Sequence, residues 1–356
     1  MSIPMTQGLS RIRYLTLAWT TTLALYAVAA VCSWMTPDYY DYYESEQYAW
    51  VAAKLRMVRD CELAPVVFLG DSRLVADIAP KDLPFSAVNL GVIGTGPIET
   101  YFLLRRILTC PNQPTTVVLA LSPYHFSAID FVFWDQSVRF GVLNTAEVAE
   151  LVQDSYRLSD WSIFSRHGVV HGIFGALVHP ALAFGALIDD HFTHIRSENR
   201  ETIQQIMASR GYRFLGYSKR VLFGPEVELK QFAARPVIDV YFDRMLRLLQ
   251  DKGIHTKFVT LPLNQATAEA SAPDVLAGLR SYLAPYQDEY PRFEVLNAVP
   301  AIWPNKFFGD IQGHLSPEGA QLFSNAVGRC LNRQLDMPDI ADNGSCPELS
   351  DMPRTE

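Results

Sequence analysis

The sequence predicts an α/β fold in which a parallel sheet is covered by helices on both faces. Two observations predict this class. Short apolar runs that suit buried strands alternate with longer segments of helical periodicity, from Val66 to a helix that ends near Leu331. The strand runs are apolar throughout instead of alternating with polar residues, which is typical of strands that are buried on both faces.

The predicted elements follow one another in a regular order. The five strands are Val66–Leu69, Ala87–Leu90, Val117–Leu121, Lys257–Leu263 and Phe293–Leu296. The helices are Asp38–Asp60, Glu99–Leu108, Thr145–Leu158, Val237–Gln250, Pro273–Tyr286 and Ser316–Leu331, the last with Ser316 as its N-cap. This order predicts a doubly wound, flavodoxin-like sheet, interrupted by a helical insertion at about residues 140–235.

An uncharged segment precedes this domain. Leu15–Met35 is long enough to cross a bilayer core, with Arg11 and Arg13 before it and acidic residues after it. These features predict a cytoplasmic N-terminus at 1–13, a transmembrane anchor at 14–36, a connecting helix at 37–61, an external domain at 62–332 and an acidic tail at 333–356. A signal peptide with its cleavage site at Ala27–Ala29 is the alternative.

Charge and cysteine content restrict the partners and the compartment. The formal net charge of −8 gives no electrostatic support for binding nucleic acid. Cys61 and Cys110 each precede an apolar strand, which would place both at one edge of a parallel sheet. We therefore expect a Cys61–Cys110 disulfide, and a Cys330–Cys346 disulfide that fastens the tail to the last helix, with four unpaired thiols as the alternative.

The insertion contains an unusual apolar stretch, His167–Ile188, which has three histidines and no acidic, lysine or arginine residue. Pro180 argues against one continuous helix. Two interpretations fit: a buried helical hairpin, or a hydrophobic surface for the membrane or a membrane-embedded partner. His167 and His171 have the i, i+4 spacing of metal ligands, but no carboxylate or cysteine is placed to complete the set, so no metal is predicted.

The residues that suggest chemistry lie at the two ends of the domain. Ser72 directly follows the first strand, at the sheet edge where open α/β proteins bind ligands, and it is either a helix N-cap or a nucleophile. A hydroxyl nucleophile needs a base, and the base needs an orienting group. His314 lies in the loop before the closing helix, with Asp310 four residues earlier. Ser72, His314 and Asp310 are therefore the predicted catalytic residues, and no metal or organic cofactor is implied.

Three blocks of sequence resemble the SGNH/GDSL hydrolase superfamily. They are Gly70-Asp71-Ser72, Asn89–Gly94 and Asp310 with His314-Leu315, within roughly residues 62–332. The likeness is closer to membrane-anchored members that accompany membrane-bound O-acyltransferases, as in alginate acetylation and the D-alanylation protein DltD. The resemblance implies that Ser72 is the nucleophile, His314 the general base and Asp310 the orienting acid. It also implies an oxyanion hole made by the backbone N–H groups of Ser72 and Gly94.

The sequence departs from the superfamily pattern in two places. No Asn follows the third strand, where the superfamily supplies a side chain to the oxyanion hole, so Tyr124 or Ser122 would donate instead. Three residues separate Asp310 from His314, where the superfamily has two. Arg73 directly follows the nucleophile and is either a surface or helix-dipole residue, or a binding residue for an anionic sugar or phosphate.

The resemblance implies transfer or removal of an acyl group, most simply acetyl, on an extracellular or cell-wall polysaccharide. It implies a single-pass protein of the bacterial inner membrane with its catalytic domain in the periplasm. The expected partner is a multi-spanning membrane-bound O-acyltransferase, contacted through residues 167–188. The alternative is a non-catalytic accessory or scaffold subunit of a polysaccharide modification or export complex, which the missing Asn and the Asp–His spacing favour.

Overall fold

A computed structural model describes residues 5–35, 46–164, 194–216, 231–271, 273–310 and 313–336, together with Cys346 and Leu349. The strands are β1 Val66–Gly70, β2 Ala87–Asn89, β3 Thr116–Ala120, β4 His255–Val259, β5 Leu263–Asn264, β6 Phe293–Asn297 and β7 Ile302–Trp303. Five of them form one parallel sheet in the order β2-β1-β3-β4-β6. The α/β class and the five-stranded parallel sheet are therefore confirmed.

The helices are α1 Met5–Met35, α2 Glu46–Arg59, α3 Ser72–Asp77, α4 Pro97–Ile107, α5 Pro123–Ser127, α6 Thr145–Leu158, α7 Ile195–Ala208, α8 Pro236–Asp251, α9 Gln265–Ala270, α10 Pro273–Glu289 and α11 Pro317–Asp336. Short 3₁₀ helices occupy Pro80–Asp82, Ser162–Phe164 and Asn305–Phe307, and Phe133–Val138 is π-helical. As expected, Ser316 caps the closing helix: its Oγ accepts a 3.2 Å hydrogen bond from the N–H of Gly319.

The sheet separates two apolar cores. Val67 and Leu69 of β1 contribute to a core shared with helices α4, α8 and α10. Val66 and Phe68 point to the opposite face, where helices α3 and α11 complete a second core. Because successive side chains of a strand point to opposite faces, a continuously apolar strand implies helices on both sides, and the structure has them.

One strand is shorter than expected. The predicted strand Lys257–Leu263 ends as β4 at Val259. There the carboxamide of Asn297 accepts the N–H of Thr260 at 2.9 Å, and Pro262 has no N–H to continue a ladder. Beyond this point Leu263 pairs with Ile302 in a separate two-stranded parallel sheet, β5 with β7, that the sequence pattern did not predict.

The described part of the insertion contains two α-helices, α6 and α7. Helix α6 spans the predicted residues, and Asn144 caps it by accepting the N–H of Glu147 at 3.0 Å. Helix α7 was not predicted, and it packs against α2. The helix expected at Asp38–Asp60 is observed as α2 from Glu46, and its expected first residues, 38–45, lie outside the described residues. Between these helices and the sheet, the buried ammonium of Lys54 donates to the carbonyl groups of Asn89 and Gly211. The apolar stretch 167–188 also lies outside the described residues.

Two predictions concern the ends of the domain. The cysteine pairings are confirmed: Cys61–Cys110 and Cys330–Cys346 are disulfides with Cα–Cα distances of 5.7 Å.

Near the N-terminus, α1 exposes large apolar side chains, among them Leu15, Trp19 and Leu25. Within the described part of the chain, no helix has both the length and the apolarity that a membrane crossing requires, so the transmembrane segment expected at 14–36 is not supported by the structure.

Candidate active site

The Gly70-Asp71-Ser72 turn connects β1 to α3 at the carboxyl edge of the sheet. Gly70 lies so close to β3 that a Cβ at this position would overlap the carbonyl oxygen of Ala120. The close approach explains why glycine ends the strand. Ser72 is the first residue of α3, and its side chain is only half-buried.

Asp71, and not Ser72, is the N-cap of α3. Its Oδ1 accepts hydrogen bonds from the N–H groups of Arg73 at 3.0 Å and Leu74 at 3.4 Å. The interpretation of Ser72 as a helix cap is therefore wrong, since the neighbouring carboxylate already fills that role. The Ser72 hydroxyl is left available for another function at the sheet edge.

The segment that carries Gly94 lies directly beside this turn. The N–H of Val92 donates to the carbonyl of Gly70 at 2.9 Å, and the hydroxyl of Thr95 donates to the same oxygen at 3.1 Å. Gly94 is buried with a φ of +67°, a conformation that favours glycine. A Cβ on it would overlap Cγ2 of Val132, so the backbone here is held closely from one side.

Asp310 and His314 are in contact as predicted. Nδ1 of His314 lies 2.6 Å from Oδ2 of Asp310, and the second carboxylate oxygen accepts the backbone N–H of His314 at 3.2 Å. The N–H of Gly309 donates to the carbonyl of His314 at 2.7 Å, which closes the loop. Both side chains are buried. The three intervening residues therefore do not separate the acid from the imidazole, and Asp310 can fix which ring nitrogen carries the proton.

The His314 loop is fastened to the helix that begins at Ser72. Asp77 ends α3, and its Oδ1 accepts the N–H of Leu315 at 2.8 Å. Burial raises the pKa of Asp77 to about 7, although the nearby charges of Arg73 and His314 and the hydrogen bond from Leu315 oppose the shift. Asp77 thus links α3 to the loop that carries His314, and sequence patterns gave no indication of this contact.

Arg73 is not a surface residue. Only 3% of it is exposed, and its guanidinium donates to the carbonyl of Pro262, beyond the end of β4. The surface alternative is therefore wrong. The expectation that Arg73 binds an anionic substrate stays a prediction.

A second cluster, centred on His125, was missed by the sequence analysis. Nδ1 of His125 lies 3.0 Å from Oδ2 of Asp71 and 3.0 Å from the hydroxyl of Ser122, and Nε2 lies 3.5 Å from Oδ2 of Asp130. Burial lowers the pKa of His125, but Asp130 and Asp71 outweigh it and raise that pKa to about 10. Burial alone would raise the pKa of Asp71, yet His125 and Arg73 hold it below its ordinary value. The signal available in the sequence was a histidine and an aspartate within ten residues after the third strand.

The two alternative oxyanion donors differ in their surroundings. The N–H of Ser122 donates to Asp71 at 3.1 Å and its hydroxyl contacts His125, so Ser122 belongs to the buried cluster. Tyr124 is half-buried, with its ring edge-on to His125 at a centroid distance of 5.4 Å. Burial, followed by the charge of Asp130, raises the pKa of Tyr124, so its phenol stays protonated. Tyr124 thus keeps a donor proton for an oxygen atom.

No protein-family model matches the chain, and no curated protein matches it. Among the described residues, no group of three or more His, Cys, Asp or Glu side chains is arranged to hold a metal ion. The interpretation of the site therefore depends on its own geometry.

Proposed function

We propose that this protein is a serine-dependent acyltransferase or esterase of the SGNH type, which transfers an acetyl group to, or removes one from, a polysaccharide. The observation that carries the proposal is the contact between Asp310 and His314, on a loop that Asp77 fastens to the helix starting at Ser72. Asp310 holds the proposed base, and Asp77 ties the loop of that base to α3, whose first residue is the half-buried Ser72.

The proposed reaction has two stages. Ser72 Oγ attacks the acyl carbonyl while Nε2 of His314 takes its proton, and the backbone N–H groups of Ser72 and Gly94 stabilise the oxyanion. The tetrahedral intermediate collapses, the bond to the leaving alcohol breaks, and His314 returns the proton to that alcohol. A sugar hydroxyl (transferase) or water (esterase) then attacks the acyl-enzyme by the same route.

Replacement of Ser72 tests this proposal. The Ser72→Ala variant is expected to lose at least about 1,000-fold in the hydrolysis of p-nitrophenyl acetate by the purified full chain, and to lose labelling by a fluorophosphonate. Ser281→Ala, which changes an exposed serine on α10, is the matched control and should retain both. Unchanged hydrolysis in Ser72→Ala would contradict the catalytic proposal.

A second candidate function is a non-catalytic subunit of a polysaccharide modification complex. It is favoured by the region after β3, where no Asn follows and where Ser122 is directed to Asp71 and His125. Polysaccharide acetylation in cells separates the two candidates. It should fall in Ser72→Ala if the serine is catalytic, and it should be unchanged if the protein is a scaffold.

We propose further that the domain works outside the cytoplasm, at a bacterial inner membrane, beside a multi-spanning acyltransferase. Two disulfides support an oxidising compartment, and the exposed apolar side chains of α1 support association with lipid. Protease added to spheroplasts should digest the domain, and digestion only after lysis would contradict this location. Replacing the apolar side chains of residues 170–186 by polar ones should abolish co-purification with the acyltransferase if that segment binds it.

A further inference from the structure

Three ionisable side chains form a continuous row beneath the proposed site. Asp71 is fully buried, His125 is 8% exposed, and Asp130 contacts the far side of the imidazole. The row begins at Oδ2 of Asp71, passes through Nδ1 and Nε2 of His125 and ends at Oδ2 of Asp130. A cationic imidazole between two carboxylates satisfies both acids in a place where an unpaired charge would be costly.

Each end of this row binds residues next to one of the two proposed oxyanion donors. At one end, the second oxygen of Asp71 caps α3 through the N–H groups of Arg73 and Leu74 and so fixes the start of the helix, where the Ser72 N–H lies. At the other end, the second oxygen of Asp130 accepts the N–H of Val132 at 3.0 Å.

Val132 is the residue against which Gly94 packs. A Cβ on Gly94 would overlap Cγ2 of Val132 and would lie 3.7 Å from Cγ of Asp130. The two donors come from neighbouring loops, after β1 and after β2, and the row runs from the first of these loops to the segment after α5 that packs against Gly94. A change at Asp130 is therefore expected to reach Gly94 through Val132, whose N–H Asp130 binds and whose side chain borders Gly94.

The space beside His125 does not admit a substrate. A cavity of about 10 Å³ lies there, lined by Glu99, Asp130 and neighbouring residues, and it has the size of a single water molecule. Glu99 is itself occupied, since it accepts the N–H of Gly96 at 2.9 Å and the hydroxyl of Ser137 at 3.0 Å. Both ring nitrogens of His125 face carboxylates, so we assign His125 no direct contact with a reacting group.

We propose that His125 is a positioning residue that fixes the N–H groups of Ser72 and Gly94 relative to each other, through Asp71 on one side and Asp130 on the other. The inference rests on the proposed function, because it assigns those two groups to one oxyanion hole. The high pKa of His125 supports it, since the imidazole stays cationic and both carboxylates stay paired throughout the neutral range.

The test uses Asp130→Asn with Asp160→Asn as its matched control. Both residues accept the N–H two residues further on, at 3.0 Å, but Asp160 receives its other hydrogen bond from Val237 and has no part in the row. Asp130→Asn keeps the size and the turn while removing the charge beside His125. His125→Gln is a second variant that removes the cation itself.

The first readout is independent of activity. In amide NMR spectra of the full chain, the resonances of both Ser72 and Gly94 should shift in Asp130→Asn and in His125→Gln and stay in place in Asp160→Asn. If Asp130→Asn leaves the Ser72 resonance unmoved, or if Asp160→Asn shifts both resonances equally, the proposal is wrong.

The second readout is kinetic. The kcat for p-nitrophenyl acetate should fall about 10- to 100-fold in Asp130→Asn with KM unchanged. Misplaced N–H donors would stabilise the transition state less, but they would not change the binding of the substrate. A wild-type protein whose hydrolysis does not depend on Ser72 would contradict the proposed function, and the amide resonances would still decide the positioning role. Hydrolysis that depends on Ser72 but is unaffected in both variants would contradict the positioning role alone.

Discussion

The N–H of Leu315 donates a hydrogen bond of 2.8 Å to the carboxyl group of Asp77, across 238 residues of sequence. Asp77 ends the helix that starts at Ser72, and Leu315 follows His314. The other oxygen of Asp77 is buried and receives no hydrogen bond from any residue the structure describes. This hydrogen bond joins the helix that starts at Ser72 to the loop that carries His314, and it uses a carboxyl group in an environment that disfavours ionisation.

Asp77 should make the protein more stable at acidic than at neutral pH. Its pKa is about 7 in the folded chain and near 3.8 when unfolded, so between these values the folded state holds more protons. The free energy of unfolding therefore decreases as pH rises from about 4 to 7, by at most about 1.4 kcal/mol per pH unit from this group. Asp77→Asn keeps an acceptor for Leu315 and cannot ionise, so it should remove this contribution. Urea unfolding at pH 5 and pH 7.5 measures it, and an equal slope in both proteins would refute the assignment.

The Asp310→Asn variant should impair catalysis without unfolding the loop. Its carboxamide oxygen can still accept the backbone N–H of His314, but it no longer stabilises an imidazolium. Loss of such an orienting acid costs on the order of 1,000- to 10,000-fold in kcat. Glu318→Gln removes an exposed carboxylate from the first turn of α11 and should leave kcat unchanged. If Asp310→Asn hydrolyses p-nitrophenyl acetate at the wild-type rate, another group orients His314.

Most of the fold could be predicted because its central strands are continuous apolar runs and its helices have helical periodicity. The five strands followed from apolar runs, the Cys61–Cys110 disulfide from cysteines placed just before two of those runs, and the Cys330–Cys346 disulfide from a tail cysteine that could reach the last helix. The division of the predicted fourth strand into β4 and β5 was only partly visible in the sequence: Pro262 argues against a continuous ladder, but the contact between Asn297 and Thr260 forms only in the folded protein. Local pattern does not contain such a contact.

The candidate site, like the fold, could be predicted only in part. Asp310 and His314 lie close in sequence, so their pairing could be expected. The roles of Asp77 and His125 could not, since each acts on a residue far along the chain: Asp77 on Leu315, and His125 on Asp71. One of the two alternatives for Arg73 was a surface or helix-dipole residue, because charged residues are mostly exposed, but the carbonyl of Pro262 gives its guanidinium an acceptor inside the protein.

The two disulfides should differ in their contribution to stability. Cys61 and Cys110 are 49 residues apart, and Cys330 and Cys346 are 16 apart. Loop-closure entropy predicts a loss of about 4 kcal/mol for the first pair and about 3 kcal/mol for the second when each is replaced by two serines. Urea unfolding of the two double variants measures the difference. A larger loss for the Cys330–Cys346 pair would show that native-state contacts, and not the unfolded chain, set the order.

Gly94 should be irreplaceable for two separable reasons, and Gly141 allows them to be separated. Both have positive φ, +67° and +77°, but a Cβ on Gly141 would meet nothing within 4 Å, whereas one on Gly94 would overlap Val132. Gly141→Ala should therefore lose about 1–2 kcal/mol from backbone conformation alone. Gly94→Ala should lose a further ~1–3 kcal/mol from the forced contact.

The same pair of variants tests the oxyanion hole. In Gly94→Ala the backbone must move away from Val132, which displaces the N–H that the proposal assigns to the oxyanion, so kcat should fall about 100-fold. Gly141→Ala should keep the wild-type kcat at temperatures where both variants are folded. The kcat values are measured with p-nitrophenyl acetate, and circular dichroism checks that both variants are folded. Comparable kcat values would show that Gly94 does not contribute to the oxyanion hole, so that packing alone explains the glycine at this position.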